Sequence, residues 1–425
     1  MSETIFALSS GAPPAGIAVM RVSGPAAGAA LGSLVGKLVE PRRARLCKLR
    51  DATGDLLDEA LVLWLPGPAS VTGEDLLELH LHGGRAVVAA VERALAAIPG
   101  LRRADPGEFT RRAFLHGRID LAEAEGLSEL LASETELQRR SAMAMAGGAV
   151  SVRVGNWRER VLALSAALEA VLDFSDEDDV AGLPAGFSAA LSELQAELAA
   201  WLARPRAERL REGYRVVIAG PPNAGKSTLF NRLVESEAAI TSPHAGTTRD
   251  VLERSVALAG IPFTFIDTAG LREESGDEIE LIGIARARAQ LAEADLVLWL
   301  GPEGEGPEGA LEIEARCDEE GHARKDAPDL SLSAQTGEGL EALQTLLLER
   351  AGKALPKPGE IAVSARQASL LGDAQAGLGL ASDEVDLLLA AEGLRMARLA
   401  FDRLIGRAST EDMLDALFGR FCIGK

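Results

Sequence analysis

The residues with the clearest chemistry form one glycine-rich stretch in the middle of the chain. Positions 220–228 read Gly-Pro-Pro-Asn-Ala-Gly-Lys-Ser-Thr, which fits the pattern G-x-x-x-x-G-K-[S/T]. The apolar run 214–219 before it predicts a buried strand, and a helical pattern begins at Thr228. Such a turn directs backbone N–H groups and the positive end of a helix dipole at one point. We therefore predict a nucleoside triphosphate site, in which Lys226 neutralises the β- and γ-phosphates and Ser227 ligates Mg²⁺.

Two later segments have the composition of phosphate-sensing loops. Positions 241–250 read Thr-Ser-Pro-His-Ala-Gly-Thr-Thr-Arg-Asp, which is typical of a switch loop, although an ordinary polar turn is the alternative. The run 263–266 predicts a strand that ends at Asp267, which can hold Mg²⁺ through water, and the N–H of Gly270 can meet the γ-phosphate. Three phosphate elements in the correct order argue against a chance match. The predicted contacts in these segments are Asn223, Ala224, Gly225, Lys226, Ser227, Thr228, Ser242, Thr247, Thr248, Asp267 and Gly270, with Thr248 as a second Mg²⁺ ligand.

The segment expected to recognise the base departs from the usual pattern. Guanine-reading loops carry Asn-Lys-x-Asp, whereas positions 315–318 read Ala-Arg-Cys-Asp. Asp318 can keep the bidentate contact with guanine and Arg316 can stack on the base, but the asparagine that ties the loops together is absent. Ser333 and Ala334 begin a second base loop, which offers a backbone N–H to the guanine O6. Guanine is therefore favoured, and weakened affinity or specificity remains the alternative.

Composition and charge limit the classes of protein that fit. The chain has 425 residues, 47% of them hydrophobic and 25% charged, which suits a globular protein of two or three domains. A formal charge of −20 argues against a broad, sequence-independent grip on nucleic acid by this subunit alone. The three cysteines are widely spaced, which excludes a disulfide framework and a zinc knuckle. With neither a signal peptide nor a membrane-spanning run, we expect a cytoplasmic protein.

The distribution of apolar residues predicts a multidomain fold of the α/β and α classes. Residues 1–118 alternate strand-like runs with Gly/Pro turns and include a helical patch, which indicates an α+β domain. Residues 119–211 and 356–425 are rich in Ala, Leu and Glu at helical spacing, which predicts one discontinuous helical domain. Residues 212–355 form the inserted nucleotide module.

A second group of polar residues lies in the N-terminal domain. Glu78, His80 and His82 alternate along one predicted strand, so their side chains share a face. A metal site is one interpretation, and an exposed or ligand-facing edge is the favoured one. Together with Arg21 and Arg118, Glu78 suggests a pocket for a small anionic or heteroaromatic ligand.

Over its full length the chain resembles the MnmE (TrmE) family of tRNA modification GTPases. The segments that carry the resemblance are 21–25, 69–75, 107–114, 222–227, 246–250 and 421–425. The sequences Gly-Thr-Thr-Arg-Asp at 246–250 and Phe-Cys-Ile-Gly-Lys at 421–425 are highly specific, because ordinary Ras-like GTPases have neither. The resemblance implies a folate-binding and dimerisation domain, a discontinuous helical domain and an inserted Ras-like P-loop G domain.

The resemblance also implies two ligands that the residue patterns did not identify. The first is a one-carbon folate such as 5-formyltetrahydrofolate, bound in the N-terminal dimer at positions matching Arg21, Glu78, Arg118 and Lys425. The second is K⁺, which takes the place of an arginine finger when two G domains pair across the nucleotide. The positions matching the K⁺ site are Asn223, Ser242, His244 and Thr247.

Lys226 and Asp267 are predicted to be catalytic, and the resemblance implies further catalytic residues. The water-orienting glutamate of the family matches Glu280, with Glu278 as the competing choice. Cys422 in the tail is a candidate nucleophile or redox group, and simple packing is the equal alternative.

The activity implied is K⁺-stimulated hydrolysis of GTP coupled to modification of the wobble uridine of certain tRNAs. The group added at carbon 5 is aminomethyl or carboxymethylaminomethyl, and the homodimer works with the FAD-dependent partner MnmG in a heterotetramer or larger complex. One rival is a nucleotide-gated assembly or binding protein, such as a ribosome-associated switch. Another is a weak or unselective NTPase with an altered base loop.

Overall fold

The computed structural model describes residues 3–173, 183–235, 253–268, 289–321, 324–357, 359–383, 386–408, 410–419 and 421–424. The chain divides into two compact units. Unit 1 comprises 1–128, 150–155 and 401–425, and unit 2 comprises 129–149 and 156–400. The domain limits expected from the sequence remain a prediction. Within the described ranges, none of the helices has the length and apolar character needed to cross a lipid bilayer.

Unit 1 is built on a six-stranded sheet in the order β3-β4-β5-β2-β1-β6. Its neighbouring strands run antiparallel, except that β6 runs parallel to β1. The strands are β1 (Thr4–Leu8), β2 (Ile17–Ser23), β3 (Arg45–Arg50), β4 (Leu56–Leu65), β5 (Leu76–His82) and β6 (Leu101–Arg103). The helices that follow them are α1 (Ala27–Val35), α2 (Arg85–Ala96), α3 (Glu108–Leu115) and α4 (Leu121–Ala132). Mixed strands and helices confirm the predicted α+β class.

Alternation along the strands separates the two faces of this sheet. Met20 and Val22 of β2, together with Leu79 of β5, belong to the buried core that also holds apolar residues of α1 and α2. Arg21 and Glu78 stand directly opposite each other on neighbouring strands and lie on the other face. The sheet therefore packs its core on one face and carries the Arg21–Glu78 pair on the other.

Of the remaining helices that the structure describes, α9 (Lys226–Glu235) and α10 (Leu340–Ala354) belong to the nucleotide module. The others belong to the part of the chain predicted to be helical: α5 (Glu136–Ala146), α6 (Ala149–Asp173), α7 (Phe187–Leu202), α8 (Ala207–Glu212), α11 (Ala365–Asp383), α12 (Leu387–Leu404) and α13 (Glu411–Phe418). Trp157 of α6 packs edge-to-face on Trp201 of α7 at 5.3 Å. The continuous run expected from about 189 to 211 is divided into α7 and α8, because Pro205 has no N–H to donate and disfavours helix in the residue before it.

The nucleotide module contains a second six-stranded sheet, in the order β12-β11-β10-β7-β9-β8. Its strands are β7 (Tyr214–Ala219), β8 (Glu253–Leu258), β9 (Ile261–Asp267), β10 (Leu296–Trp299), β11 (Leu311–Ala315) and β12 (Leu330–Leu332). All neighbours run parallel except β8 and β9. The carboxyl ends of the parallel strands consequently meet at one edge of the sheet, where ligands bind in folds of this type.

A buried arginine joins several segments of unit 1. Arg112 of α3 donates to Glu74 Oε2 at 2.9 Å, to Glu108 Oε1 at 2.8 Å and to the carbonyl of Glu3 at 2.8 Å. Arg102 donates to both carboxylate oxygens of Glu108, at 2.8 and 2.6 Å. Burial opposes ionisation of Glu108, but these hydrogen bonds and one from the Asp105 N–H hold its pKa at about 2, below the ordinary 4.5. The network therefore needs an ionised Glu108.

Replacing Glu108 with Gln tests this network. The folded pKa lies below the unfolded value, so the stabilisation is present above about pH 4.5 and is lost as the pH falls toward 2. We expect Glu108→Gln to reduce the free energy of unfolding by about 2–3 kcal/mol at pH 7. Urea unfolding at pH 7, 5 and 3 measures this, and the gap from the wild type should narrow in acid.

The control is Glu40→Gln, which removes an exposed pair with Arg43 spaced i,i+3. It should change the free energy of unfolding by no more than about 0.5 kcal/mol. Equal losses in the two variants at pH 7 would contradict a special role for the Glu108 network.

Candidate nucleotide site

The glycine-rich turn predicted from the sequence connects β7 to α9. Gly225 has a φ of +92°, which lies in the left-handed region that favours glycine. Asn223 adopts the same region with a φ of +62° although it has a side chain. Helix α9 begins at Lys226, two residues before the start expected from the sequence. The turn and the helix N-terminus are therefore placed to bind phosphate through backbone N–H groups.

Lys226 is held close to the turn that precedes it. Its side chain is buried, and its Nζ donates to the carbonyl of Pro221 at 2.7 Å. A buried ammonium retains little hydration, so a polyphosphate is a strong competitor for its hydrogen bonds. This geometry suits the phosphate-neutralising role predicted for Lys226.

The two residues expected near Mg²⁺ are in direct contact. The Ser227 hydroxyl donates to Asp267 Oδ2 at 2.6 Å, and Asp267 is fully buried at the carboxyl end of β9. Hydroxyl and carboxylate oxygens are the ligand types that Mg²⁺ prefers. The residues present therefore fit Mg²⁺, which Ser227 would hold directly and Asp267 would support.

The base-recognition loops follow β11 and β12, the next strands along the same edge. Arg316 follows β11 with a φ of +63°, and one of its guanidinium N–H groups donates to the carbonyl of Asn223 at 3.2 Å. The Ser333 hydroxyl accepts from the N–H of Thr336 at 3.1 Å, which orders the second loop. Arg316 thus reaches the glycine-rich turn itself, a contact that the sequence analysis did not identify.

Carboxylates surround the base-recognition end of the site. Burial raises the pKa of the Cys317 thiol, and the nearby carboxylates of Glu338, Asp318 and Glu314 raise it further. Clustered negative charge suits a base that presents N–H donors, as guanine does, and it disfavours an anionic group at this end of the cavity.

One cavity of about 680 Å³ collects the predicted residues that the structure describes. It is lined by the predicted contacts Asn223, Gly225, Lys226, Ser227, Thr228, Asp318, Ser333 and Ala334. Ala224 is buried within the turn, and Asp267 lies behind Ser227. The lining also includes Thr268 and Gln335, which directly follow the predicted residues Asp267 and Ala334, and Glu319, which was not predicted. The volume is within the range of small-molecule and cofactor sites.

Several predicted residues lie outside the part of the chain that the structure describes. They are Ser242, His244, Thr247, Thr248, Gly270, Glu280 and Lys425, together with the competing Glu278. Their roles in the Mg²⁺ shell, the K⁺ site, water orientation and folate binding remain predictions.

The charged face of the unit 1 sheet brings together two of the predicted folate residues. Arg21 Nε donates to Glu78 Oε1 at 2.8 Å, and His80 Nε2 lies 3.5 Å from the other carboxylate oxygen. Arg118 is exposed beyond α3, and no hydrogen bond or ion pair joins it to Arg21 or Glu78 within the described residues. The structure therefore describes half of the four-residue set as a contact pair.

The metal interpretation of the alternating strand gains no support. His82 Nδ1 lies 2.7 Å from Asp58 Oδ1, so this ring is paired with a carboxylate on β4. In the described ranges no group of three or more His, Cys, Asp or Glu side chains is arranged to hold a metal ion. The favoured interpretation, a ligand-facing surface, fits these pairs better.

The C-terminal tail lies against the start of the chain within unit 1. Ile423 forms an antiparallel bridge with Pro106, and Gly424 has a φ of +92°. A Cβ at Gly424 would lie 2.1 Å from the carbonyl oxygen of Leu8, so only glycine fits there. Cys422 is exposed and not in a disulfide, and its chemical role remains a prediction.

Comparisons with known proteins agree over the whole chain. The family model described as MnmE helical domain matches residues 121–422, and the model described as GTP-binding protein TrmE N-terminus matches residues 4–118. Proteins named tRNA modification GTPase MnmE from Erythrobacter litoralis and Novosphingobium aromaticivorans are 64% and 62% identical to it. Each alignment covers 100% of both chains. A protein of the same name from Zymomonas mobilis is 50% identical, again over 100% of both chains.

Removing the Ser227 hydroxyl tests the Mg²⁺ assignment. We expect Ser227→Ala to weaken binding of a fluorescent GTP analogue about tenfold or more in Mg²⁺, because one ligand and one hydrogen bond to Asp267 are lost. Titrations with Mg²⁺ and with EDTA measure this, and the difference from the wild type should shrink without the metal.

Thr345→Ala removes an exposed hydroxyl on α10 and is the matched control. Its affinity should equal that of the wild type in both buffers. A Ser227→Ala deficit of the same size with and without Mg²⁺ would argue against metal ligation.

Proposed function

The chain belongs to the MnmE (TrmE) family of tRNA modification GTPases, and on this premise we propose that it couples K⁺-stimulated GTP hydrolysis to wobble-uridine modification. The group added at carbon 5 is aminomethyl or carboxymethylaminomethyl. Family membership makes the chain a GTP hydrolase with GTP and Mg²⁺ as its ligands. The observation that carries the proposal is the convergence of Lys226, Ser227 and Asp318 on one cavity.

The described residues support a mechanism that works by placing charge. Phosphoryl transfer is accelerated mainly by positioning and by stabilising charge on the phosphate oxygens. Lys226 supplies a buried positive charge beside the turn. Ser227, with Thr248 as the proposed second ligand, would hold Mg²⁺, which would add another positive charge there. K⁺ is proposed to take the place of an arginine finger, with Asn223 as its ligand and Ser242, His244 and Thr247 covering the ion. Glu280 is proposed to orient the attacking water.

Guanine is the base that the cavity favours. Asp318 is exposed at the base-recognition end and can accept from the N1 and N2 hydrogens of guanine. Ser333 and Ala334 line the same cavity after β12, where a backbone N–H can meet the guanine O6. This arrangement argues against an unselective NTPase, although the usual asparagine is missing.

We place the one-carbon folate on the charged face of unit 1. Arg21 suits the carboxylates of a folate, and Glu78 suits the N–H groups of its pterin ring. The described end of the tail, Gly424, lies beside Leu8 at the end of β1, and β1 is paired with β2, the strand that carries Arg21. Lys425, the next residue, is proposed to contact the ligand. Arg118 completes the proposed set.

Exposed apolar residues on one sheet face of unit 1 support the proposed homodimer. Leu46 of β3 pairs in register with Leu61 of β4, and their side chains are 63% and 37% exposed. Ile17 on β2 is 60% exposed as well. Neighbouring exposed apolar residues, such as Leu46 and Leu61, are more typical of an interaction surface than scattered single ones. A second copy of the chain is the proposed occupant.

The proposed complex includes the FAD-dependent partner MnmG and tRNA, in a heterotetramer or larger assembly. The net charge of −20 favours RNA contact that is local or supplied by the partner. The rival function is a nucleotide-gated assembly protein that modifies nothing. Mass spectrometry of tRNA from cells that lack the chain separates the two, because only the proposed function predicts loss of the wobble-uridine group.

The salt dependence of hydrolysis tests the K⁺ proposal. We expect GTP hydrolysis to be faster in KCl than in NaCl at matched ionic strength by about tenfold or more, because K⁺ adds a positive charge beside the transferring phosphoryl group. Asn223→Ala should lose most of this difference while still binding GDP. Steady-state phosphate release measures both. The same slow rate in the two salts would exclude cation-assisted pairing.

Direct binding of 5-formyltetrahydrofolate tests the folate proposal. Arg21→Ala and Glu78→Gln should each weaken binding about tenfold or more, because each removes one charged partner of the ligand. Isothermal titration calorimetry measures this. Arg93→Ala, an exposed arginine on α2, is the control and should leave the affinity unchanged. Wild-type affinity in both site variants would remove the folate from this face.

A further inference from the structure

Arg316 spans the gap between the base-recognition loop and the glycine-rich turn. Ala315 occupies the place of the usual asparagine and is buried with no polar side-chain atom to offer. One guanidinium N–H of Arg316 donates instead to the carbonyl of Asn223 at 3.2 Å. The Arg316 side chain also passes over Gly225, whose Cβ, if present, would lie 3.7 Å from Arg316 Cγ. A connection between the two loops therefore exists, but it is made by a different residue.

Glu319 holds this arginine in position. Arg316 Nε lies 2.7 Å from Glu319 Oε1, and a terminal guanidinium nitrogen lies 2.5 Å from Glu319 Oε2. Two parallel contacts between a guanidinium and a carboxylate fix the plane of the guanidinium group. The remaining terminal nitrogen is the one that reaches the Asn223 carbonyl. The carboxylate thus orients the arginine, and the arginine reaches the turn.

Backbone conformation shows why such support matters. Asn223 and Arg316 both have a positive φ, +62° and +63°, a region that residues with side chains rarely adopt. Conformations of this kind persist where the surrounding contacts hold them. The hydrogen bond joins these two residues directly, so each loop supports the other.

Charge balance points to the same pair. Asp318 and Glu319 are adjacent, and both line the cavity. The carboxylates of Asp318, Glu314 and Glu338 contribute to the raised pKa of the Cys317 thiol, which shows that negative charge is already concentrated there. Pairing with Arg316 neutralises Glu319 and leaves Asp318 as the exposed acceptor at that end. A guanine N–H donor would then meet one carboxylate in a defined place.

We propose that Glu319 and Arg316 form a positioning pair that replaces the loop-tying asparagine and thereby sets the guanine preference of the site. The inference rests on the proposed guanine-binding function. It also links the base loop to Asn223, the residue proposed to ligate K⁺. Loss of the pair should therefore weaken base discrimination and K⁺ stimulation together.

The experiment compares nucleotide release by the full-length chain. Fluorescent GDP and IDP are chased with unlabelled nucleotide; IDP lacks the exocyclic amino group that Asp318 is expected to bind. We expect Glu319→Gln to release GDP about tenfold faster, the loss typical of one charge-assisted hydrogen bond, and IDP with less change. The release rates of GDP and IDP should therefore differ less in this variant than in the wild type. General loosening of the fold would speed both rates alike and leave their ratio unchanged.

Three further variants make the comparison specific. Glu320→Gln removes an adjacent exposed carboxylate and should behave as the wild type. Arg316→Ala should match Glu319→Gln, and the double variant should be no worse than Arg316→Ala, because the two residues act as one unit. Arg316→Lys keeps the charge without the planar group, and it should also narrow the ratio of the GDP and IDP release rates. It takes the place of Glu319→Gln if that variant proves unstable.

The outcomes separate the inference from the function on which it rests. If the wild type holds GDP no longer than IDP, the guanine-binding function fails and the inference fails with it. If the wild type discriminates but Glu319→Gln behaves as Glu320→Gln, or if the two single effects add in the double variant, the positioning pair alone is wrong. A K⁺ concentration for half-maximal stimulation that rises in Glu319→Gln supports the link to Asn223.

Discussion

The nucleotide site depends on one geometric constraint, the convergence of parallel strands at their carboxyl ends. The chain leaves β7 into the glycine-rich turn, β9 at Asp267, β11 into the first base loop and β12 into the second. Because these strands belong to one parallel arrangement, with β10 between β7 and β11, four segments far apart in sequence arrive at a single edge. The phosphate-binding residues follow β7 and β9, and the base-binding residues follow β11 and β12, so the two groups lie at different places along this edge. No single segment could provide both.

Short, local features of this arrangement were predictable from the residues. A strand, a glycine-rich turn and a helix start within about 20 residues, so the positions of Lys226 and Ser227 follow from periodicity and from glycine's tolerance of positive φ. Ser227 and Asp267 were both predicted to lie near the same Mg²⁺, and their direct hydrogen bond agrees with that expectation. The tRNA modification GTPase family was recognisable chiefly from two segments, 246–250 in the predicted switch loop and 421–425 in the tail, and the full-length relatives confirm it.

Contacts that depend on side-chain direction were not predictable in this way. Stacking on the base was the expected role of Arg316, and its reach to the Asn223 carbonyl became visible only in three dimensions. The one available signal was the spacing of Arg316 and Glu319, which lets opposite charges meet in a turn. The network of Arg112 likewise joins three segments. The i,i+4 spacing of Glu108 and Arg112 can be read in α3, but nothing in that helix identifies Glu74 or the Glu3 carbonyl as partners. Long polar side chains adopt many rotamers, so tertiary packing decides which partners they reach.

The way unit 1 is assembled has a consequence for biosynthesis. Its sheet is completed by the first quarter of the chain, yet its tail bridge to Pro106 and the close approach of Gly424 to Leu8 come from the last few residues. A ribosome makes these residues after the whole nucleotide module. The contact of the tail with the end of β1 can therefore form only after the nucleotide module has been made. A chain that stops short of residue 421 would carry the residues of the GTP site beside a first unit that lacks these tail contacts.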